Sequence, residues 1–292
     1  MPERARASST HISPSAHYTG YVWYRHGLSE QAFVTAFGGF VHRLLAPISW
    51  AARRGGLDIE HTLLQRHLLI DAQLTAAIEQ GGVRQVVEIA AGLSPRGRRF
   101  TARYPQLRYL EADLPGMAAR KRLLLHGQGW LGPRHQVRAV DILAEHGSIS
   151  LGALFAGLDQ GEAVVVITEG LVNYFELPLV ESFWARLAQA LAPFPQATYL
   201  TELYPDLRDH PRYRHLQWGV KLIGWLTRGS YPLHYRDHAA IIEGFQRCGF
   251  AQAQVFDPSL AVGRLGLPPA RLPGLVRVIQ ASLQGGSEAP TA

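Results

Sequence analysis

The run Val86-Val87-Glu88-Ile89-Ala90-Ala91-Gly92-Leu93-Ser94-Pro95-Arg96-Gly97 is a short apolar stretch that ends in a turn open to a ligand. Its spacing comes close to G-x-G-x-x-G, the turn that seats a pyrophosphate against bare backbone at a helix N-terminus. Ser94 stands where the middle glycine belongs, and Pro95 follows it. The backbone is therefore not bare, which argues against NAD and FAD. A serine-hydrolase elbow is disfavoured as well. Arg96 occupies the place of the second glycine of G-x-S-x-G, and Pro95 has no N–H to offer an oxyanion. No Gly-Lys-Ser/Thr follows, so the turn is not a P-loop. A nucleoside cofactor without a pyrophosphate remains. S-adenosylmethionine fits: it needs an open turn beside its methionine part and a carboxylate at the end of the next strand for its ribose hydroxyls.

The acids are in place for that. Tyr109-Leu110-Glu111-Ala112-Asp113-Leu114-Pro115 puts Asp113 25 residues after Glu88, near the roughly 20-residue spacing of a ribose-binding acid. Val140-Asp141-Ile142-Leu143 offers an acid for an adenine amino group and an apolar cover for the ring. A single strand-end carboxylate is more often the cap of the next helix. Three at one sheet edge favour ligation. The chain has 13 His but no His-x-x-x-His pair with Glu and no Cys cluster, so no metal is expected.

Only a sheet with parallel strands gathers these residues at one edge. The sequence supplies one: apolar runs at Arg84–Ala90, Gln106–Leu114, Gln136–Ile142, Ala163–Thr168 and Gln196–Leu203 alternate with helical stretches at Arg96–Tyr104, Gly116–His126, Ile149–Leu158 and Leu177–Leu191. This alternation predicts an α/β fold, a Rossmann-like parallel sheet covered on both faces. A helix at Asp237–Cys248 and strands at Ala251–Phe256 and Leu275–Ala281 follow, the last expected to run antiparallel. Residues 1–80 read as an N-terminal helical cap or lid. It has one helix over Phe33–Arg53, broken or ended by Pro47 and Gly55-Gly56, and another over Asp58–Gln80. Residues 81–292 read as the cofactor-binding domain. The aromatic, Arg- and His-rich stretch 206–238 is too long for a loop and reads as an insertion with a helix near Tyr213–Leu226.

Composition bounds the rest. Hydrophobic residues are 47% and charged residues 18% of 292, which suits a globule and excludes a disordered chain. The formal charge of +6 comes almost entirely from Arg, without a like-charge run to suggest nucleic acid. Cys248 is alone, so no disulfide forms within the chain. No apolar stretch approaches the ~20 residues of a membrane helix. The expectation is a cytoplasmic protein with a small-molecule partner and with neither nucleic acid nor membrane as partner; nothing bears on its oligomeric state.

Taken in order, Val87–Gly97, Tyr109–Pro115 with Arg120-Lys121 behind it, and Ile167-Thr168-Glu169-Gly170-Leu171-Val172-Asn173-Tyr174-Phe175 resemble the leucine carboxyl methyltransferase family. The bacterial branch of polyketide-synthesis O-methyltransferases is the most similar, over roughly Thr62 to Phe175. The resemblance implies a class I fold that uses S-adenosylmethionine. It implies Asp113 at the ribose and Glu88, Ala90 and Gly92 along the methionine moiety. Asp141 and Ile142 would lie at the adenine, Glu169 near the cofactor amino group and Arg66 on its carboxylate. Neither the N-terminal aromatic stretch nor the insertion matches the family pattern.

The implied reaction is methyl transfer to oxygen. A carboxylate acceptor is already ionised, whereas a phenol or alcohol needs a nearby base; the sequence leaves that choice open. Tyr174 and Tyr204 are the candidates to touch the acceptor. Tyr18, Tyr21 and Tyr24 either line the substrate or dock an amphipathic turn on the core. A nucleic-acid methyltransferase is the alternative, though Glu169-Gly170-Leu171-Val172 stands where base methylation uses Asn/Asp-Pro-Pro-Tyr/Phe. A non-catalytic cofactor-binding protein is another.

Overall fold

The computed structural model describes residues 14–54, 58–206, 208, 232–269 and 273–283. Seven strands form one sheet in the order β3-β2-β1-β4-β5-β7-β6. They are β1 (Gln85–Ile89), β2 (Arg108–Asp113), β3 (His135–Ala139), β4 (Val164–Thr168), β5 (Ala197–Leu203), β6 (Gln252–Phe256) and β7 (Arg277–Ser282). β1 to β5 pair in parallel, and β7 runs antiparallel between β5 and β6. β1, β4 and β5 are buried along their whole length, as continuous apolar runs covered on both faces must be.

Ahead of the sheet lie α1 (Pro14–Arg25), α2 (Ala36–Arg54) and α3 (Ile59–Glu79); α4 (Arg96–Arg103), α5 (Pro115–Gly127), α6 (Leu151–Ala156), α7 (Leu177–Leu191) and α8 (His238–Arg247) follow between strands. Asp58 caps α3 by accepting from His61 N at 3.1 Å, the usual service of an aspartate at that position. The lower half of α3, Leu69, Ile70, Leu74 and Ile78, packs on one sheet face with Val86, Val165, Ile167 and Leu200. On the other face, Val180, Phe183, Trp184, Leu187 and Leu191 of α7 form a stripe at helical spacing over Val166, Tyr199 and Ile279, the pattern of an amphipathic helix on a core.

Two expectations need revision. Pro47 does not break its helix, since α2 runs unbroken to Arg54. Pro47 sits on the exposed side, where the carbonyl that loses its N–H partner can turn to water. The strand read to Ile142 ends at Ala139, so Val140-Asp141-Ile142 lies in the loop beyond it. The helix expected near Tyr213–Leu226 lies outside the described residues. The base of that stretch is described: Asp206 N donates to Tyr235 O at 2.8 Å and His234 N to Tyr204 O at 3.1 Å.

Candidate functional site

β1 delivers the turn at its carboxyl end. Ala90 has φ +57° and Gly92 has φ +48°. A left-handed alanine is uncommon, and such residues gather where ligands are clamped. A Cβ built on Gly92 meets only Ala90 O, at 4.0 Å, so the turn presents open space at this point. Asp113 ends β2 beside it, half-buried. Its Oδ2 accepts from Gly92 N at 2.7 Å and its Oδ1 from Leu114 N at 2.8 Å. Burial raises the Asp113 carboxyl above its ordinary value, against the pull of those two N–H groups. Each oxygen keeps a lone pair for a further donor.

The turn is also held from below. Lys121 of α5 is buried and donates to Ser94 O at 2.7 Å and Gly92 O at 3.2 Å. Its ammonium also pairs with Glu111 at 2.6 Å, and His135 lies 2.8 Å from the other Glu111 oxygen. Gly97 completes the spacing for a packing reason: a Cβ there would press into Glu111 and His135.

Asp141 lies just past β3 and is half-buried. Its Oδ1 accepts from Leu143 N at 2.9 Å within the loop; the next helix, α6, is capped by Ser150 instead. Ile142 lines a small apolar cleft with Leu171, Val172, Phe175 and Phe183.

The β4 and β5 side is built differently. Glu169 follows β4 and is buried among cations. Oε1 accepts from Arg66 Nε at 3.0 Å; Oε2 accepts from Arg96 at 2.6 Å and lies 2.8 Å from His67 Nδ1. Burial alone would raise this carboxyl, yet His67, Arg96 and Arg66 hold it well below the usual range. Glu88 lies in the same cluster rather than exposed in the turn. Its oxygens accept from Arg96 at 2.5 Å and the Tyr109 hydroxyl at 2.8 Å, and it is 1% exposed. Arg96 and Tyr109 thus each take one of the two Glu88 oxygens. Arg96 also donates to Asp71 at 2.6 Å, and its guanidinium is fully buried. Burial opposes its charge, but Glu88, Asp71 and Glu169 raise its pKa well above normal. His67 Nε2 lies 2.8 Å from Arg99 and its Nδ1 2.9 Å from Arg96.

Arg66 reaches the β5 end too. It donates to the Tyr204 hydroxyl at 3.4 Å and stands 3.7 Å from Glu202. Burial raises the Tyr204 phenol, and Arg66 opposes the shift. Glu202 accepts from Gly170 N at 2.6 Å through Oε1, while among the described residues its Oε2 has no hydrogen-bond partner. Burial pushes its carboxyl up to about 7, with Arg66 opposing and Glu169 reinforcing.

Tyr174 closes the 3-10 turn Val172–Tyr174 after β4. Its hydroxyl lies 2.6 Å from Ser15 Oγ in the first turn of α1. Ala16 packs with Leu93 and Met117, so α1 touches both the glycine turn and Tyr174. Asn173 ties the strand ends together by accepting from Tyr204 N at 2.9 Å and donating to Pro232 O at 2.7 Å. Tyr18, Tyr21 and Tyr24 are not gathered with Tyr174 and Tyr204. Tyr18 and Tyr21 pack on His42 of α2, with ring centroids 5.8 and 5.0 Å apart, and Tyr24 sits 6.4 Å from Tyr21. Their ring contacts fit the docked amphipathic turn.

Arg96, His67, Asp71, Lys121 and Glu202 escaped the sequence reading as site residues. Arg96 was visible inside the turn motif, and its burial could have been suspected from Glu88 ahead of it. His67 and Asp71 carry one signal, a histidine and an acid one turn apart on the same side of α3. Among the described residues no group of three or more His, Cys, Asp or Glu side chains is placed to hold a metal.

The sheet order and the turn define a Rossmann-like fold of the class I methyltransferase type. A DUF574 family protein from Streptomyces avermitilis shares it with a TM-score of 0.57 at 14% identity, over 94% of this chain and 98% of that one. An O-methyltransferase family protein from Burkholderia thailandensis shares it with a TM-score of 0.51 at 19% identity, over 94% and 71%. The leucine carboxyl methyltransferase family model matches residues 33–185, more than half of the chain, and the chain belongs to that family. A Parafrankia sp. (strain EAN1pec) protein, named as an S-adenosyl-L-methionine-dependent methyltransferase, is 32% identical over 186 residues, 59% of this chain. The match spans 57% of that relative's length.

Proposed function

We propose that this chain is an S-adenosylmethionine-dependent O-methyltransferase whose acceptor is a carboxylate or hydroxyl of a small molecule. The observation that carries the reading is the open turn at Ala90–Gly92 locked to Asp113, a strand-end acid beside bare backbone. Family membership supports methyl transfer, and the O-methyltransferase among the fold neighbours is consistent with oxygen as the acceptor atom.

In this reading Asp113 accepts from the ribose hydroxyls, the Gly92 turn lies along the methionine moiety, and Asp141 with Ile142 receives the adenine. The cofactor supplies an electrophilic methyl on a sulfonium. Arg66 holds the cofactor carboxylate, and the Arg66–Glu169–Arg96 cluster fixes its fork so that little ordering remains on binding. Glu169 serves the amino group through the same cluster. α1 forms part of a cap, residues 1–80, that excludes water above the turn. Tyr174 orients the acceptor oxygen through its hydroxyl, Ser15 steadies that hydroxyl, and Tyr204 lines the far wall. Positioning of this kind contributes up to ~7–11 kcal/mol of barrier reduction in favourable systems.

The test is transfer of labelled methyl from the cofactor to an extract of the source cells, sorted into small molecules, protein and nucleic acid. Label in a base-labile ester or in an ether of a small molecule is expected; label in nucleic acid alone contradicts the reading. With an acceptor in hand, Tyr174→Phe should slow transfer by about one to two decades, ~1.4–2.8 kcal/mol, with cofactor affinity nearly constant.

A further inference from the structure

α2 presents two faces: one packs on α1 and α3, and the other is largely uncovered by the described chain, touched at its N-terminal end where the Phe37 ring meets His17 edge-on at 5.2 Å. Its inner side is shaped for α1. A Cβ on Gly38 would strike the His17 carbonyl, and one on Gly39 would meet the Tyr21 ring at 3.2 Å. Val41 and Leu45 pack with Tyr18, Val22, Leu63 and Leu64. The outer side should then be polar, as on any helix between a core and water. It is not. Phe37 is 47% exposed, Phe40 59%, Leu44 63%, Ile48 56% and Trp50 58%. Phe37, Phe40, Leu44 and Ile48 follow one another at three- and four-residue steps, which makes a continuous stripe. Of the twelve large apolar side chains that the described residues expose, five fall on this one helix, so the stripe is not the scatter of single residues every surface carries.

Its charges have one sign. Between Gln31 and Leu57 the chain has no Asp or Glu, and the helix carries Arg43, Arg53 and Arg54. Arg53 pairs with Asp58 at 3.0 Å. Arg54 instead lies 3.7 Å over the Trp50 ring, a cation and an aromatic together at the border of the stripe. We infer that α2 is an interfacial helix that seats this protein on the surface of an anionic bilayer. Its apolar stripe enters the boundary between headgroups and acyl chains, and Arg43 and Arg54 meet the lipid phosphates. An apolar face with Phe, Leu and Trp, bordered by Arg and free of acids, is what such a surface selects. At about 1.5 Å per residue the helix is long enough to lie along the plane, and no described helix is long and apolar enough to cross it. A second copy fits less well. Two such faces brought together would juxtapose their arginines, and neither helix has an acid to answer them.

Co-sedimentation of the full chain with phosphatidylcholine vesicles, with and without phosphatidylglycerol, tests this. The protein should pellet with the phosphatidylglycerol vesicles at low salt and much less with phosphatidylcholine alone. Phe40→Asp/Leu44→Asp should cut the bound fraction by about tenfold or more, since each side chain removes its own transfer energy. Both positions face solvent, so circular dichroism and the unfolding temperature should match the wild type. Arg43→Glu/Arg54→Glu should abolish the preference for phosphatidylglycerol. Binding to neither vesicle, or equal binding by wild type and the Asp variant, overturns the proposal. So does a concentration-dependent dimer in light scattering that the Asp variant loses, which would assign the face to a second copy.

Discussion

The two halves of the candidate site, at the β1–β2 and the β4–β5 strand ends, are built on opposite plans. On the β1–β2 side, Gly92, Asp113 and Lys121 hold one another through bonds to main-chain atoms at separations of 21 to 29 residues. On the β4–β5 side, side chains meet side chains: Glu169 bonds to Arg66 and His67 across 103 and 102 residues and to Arg96 across 73. The first plan leaves backbone open and a carboxylate half-exposed. The second buries Arg66 and Arg96 with four carboxylates, Asp71, Glu88, Glu169 and Glu202, and depends on these charges answering one another. The contrast separates recognition from architecture. Main-chain clamps fix a turn at small cost in stability, whereas a buried ionic cluster holds helix α3 to the sheet at the risk that one loss strands the rest.

Arg96→Ala should therefore have the largest effect. It leaves Glu88, Asp71 and Glu169 buried without their shared cation, and stability in urea titration should fall by about 3–5 kcal/mol. Arg96→Lys should rescue little, because one ammonium cannot fork to three carboxylates. A loss under about 1 kcal/mol for Arg96→Ala would mean that the cluster does not carry the α3 contact.

Glu202 sharpens the same side. Its folded carboxyl is raised by burial to about 7, against roughly 4.3 in an unfolded chain. The folded state holds that proton more tightly. Its contribution is fully present below the unfolded value and is lost as pH rises through about 7. Wild-type stability should drop between pH 5 and 8 by on the order of 2 kcal/mol more than that of Glu202→Gln. Parallel pH profiles of the two proteins would refute this.

Lys121→Met probes the other side. It frees the Gly92 and Ser94 carbonyls and leaves His135 as the remaining partner of buried Glu111. Cofactor affinity should fall by about tenfold, ~1.4 kcal/mol, measured by calorimetry on protein shown to be folded. An unchanged affinity would show that the turn needs no support from α5.

The same contrast explains what the sequence reveals. Five parallel runs, the glycine turn and Asp113 were legible because each rests on local pattern: continuous apolar strands, a turn residue, a strand-end acid at a set spacing. The α4 and α7 ranges follow from helical periodicity in the same way. The charged cluster was not legible, since no local rule pairs His67 with Glu169 or Arg96 with Asp71. The pairing of Glu88 with Arg96 was hidden for the same reason, as Arg96 is a residue that the turn motif presents only as a mismatch. Pro47 was misread because a local rule was applied where solvent exposure removes its force. The tyrosines of α1 were ambiguous between lid and packing, and His42 of α2, invisible to any motif, supplies the packing.

The most direct test of the central claim, that the Asp113-locked turn binds S-adenosylmethionine, is titration calorimetry with S-adenosylmethionine and NAD on wild type and Asp113→Asn. The account predicts micromolar binding of S-adenosylmethionine, roughly −8 kcal/mol, with none of NAD. It also predicts a loss of about 1.5–3 kcal/mol in the variant, the range for hydrogen bonds to a charged group. Binding of NAD without S-adenosylmethionine, or an unaltered affinity in Asp113→Asn, would contradict it.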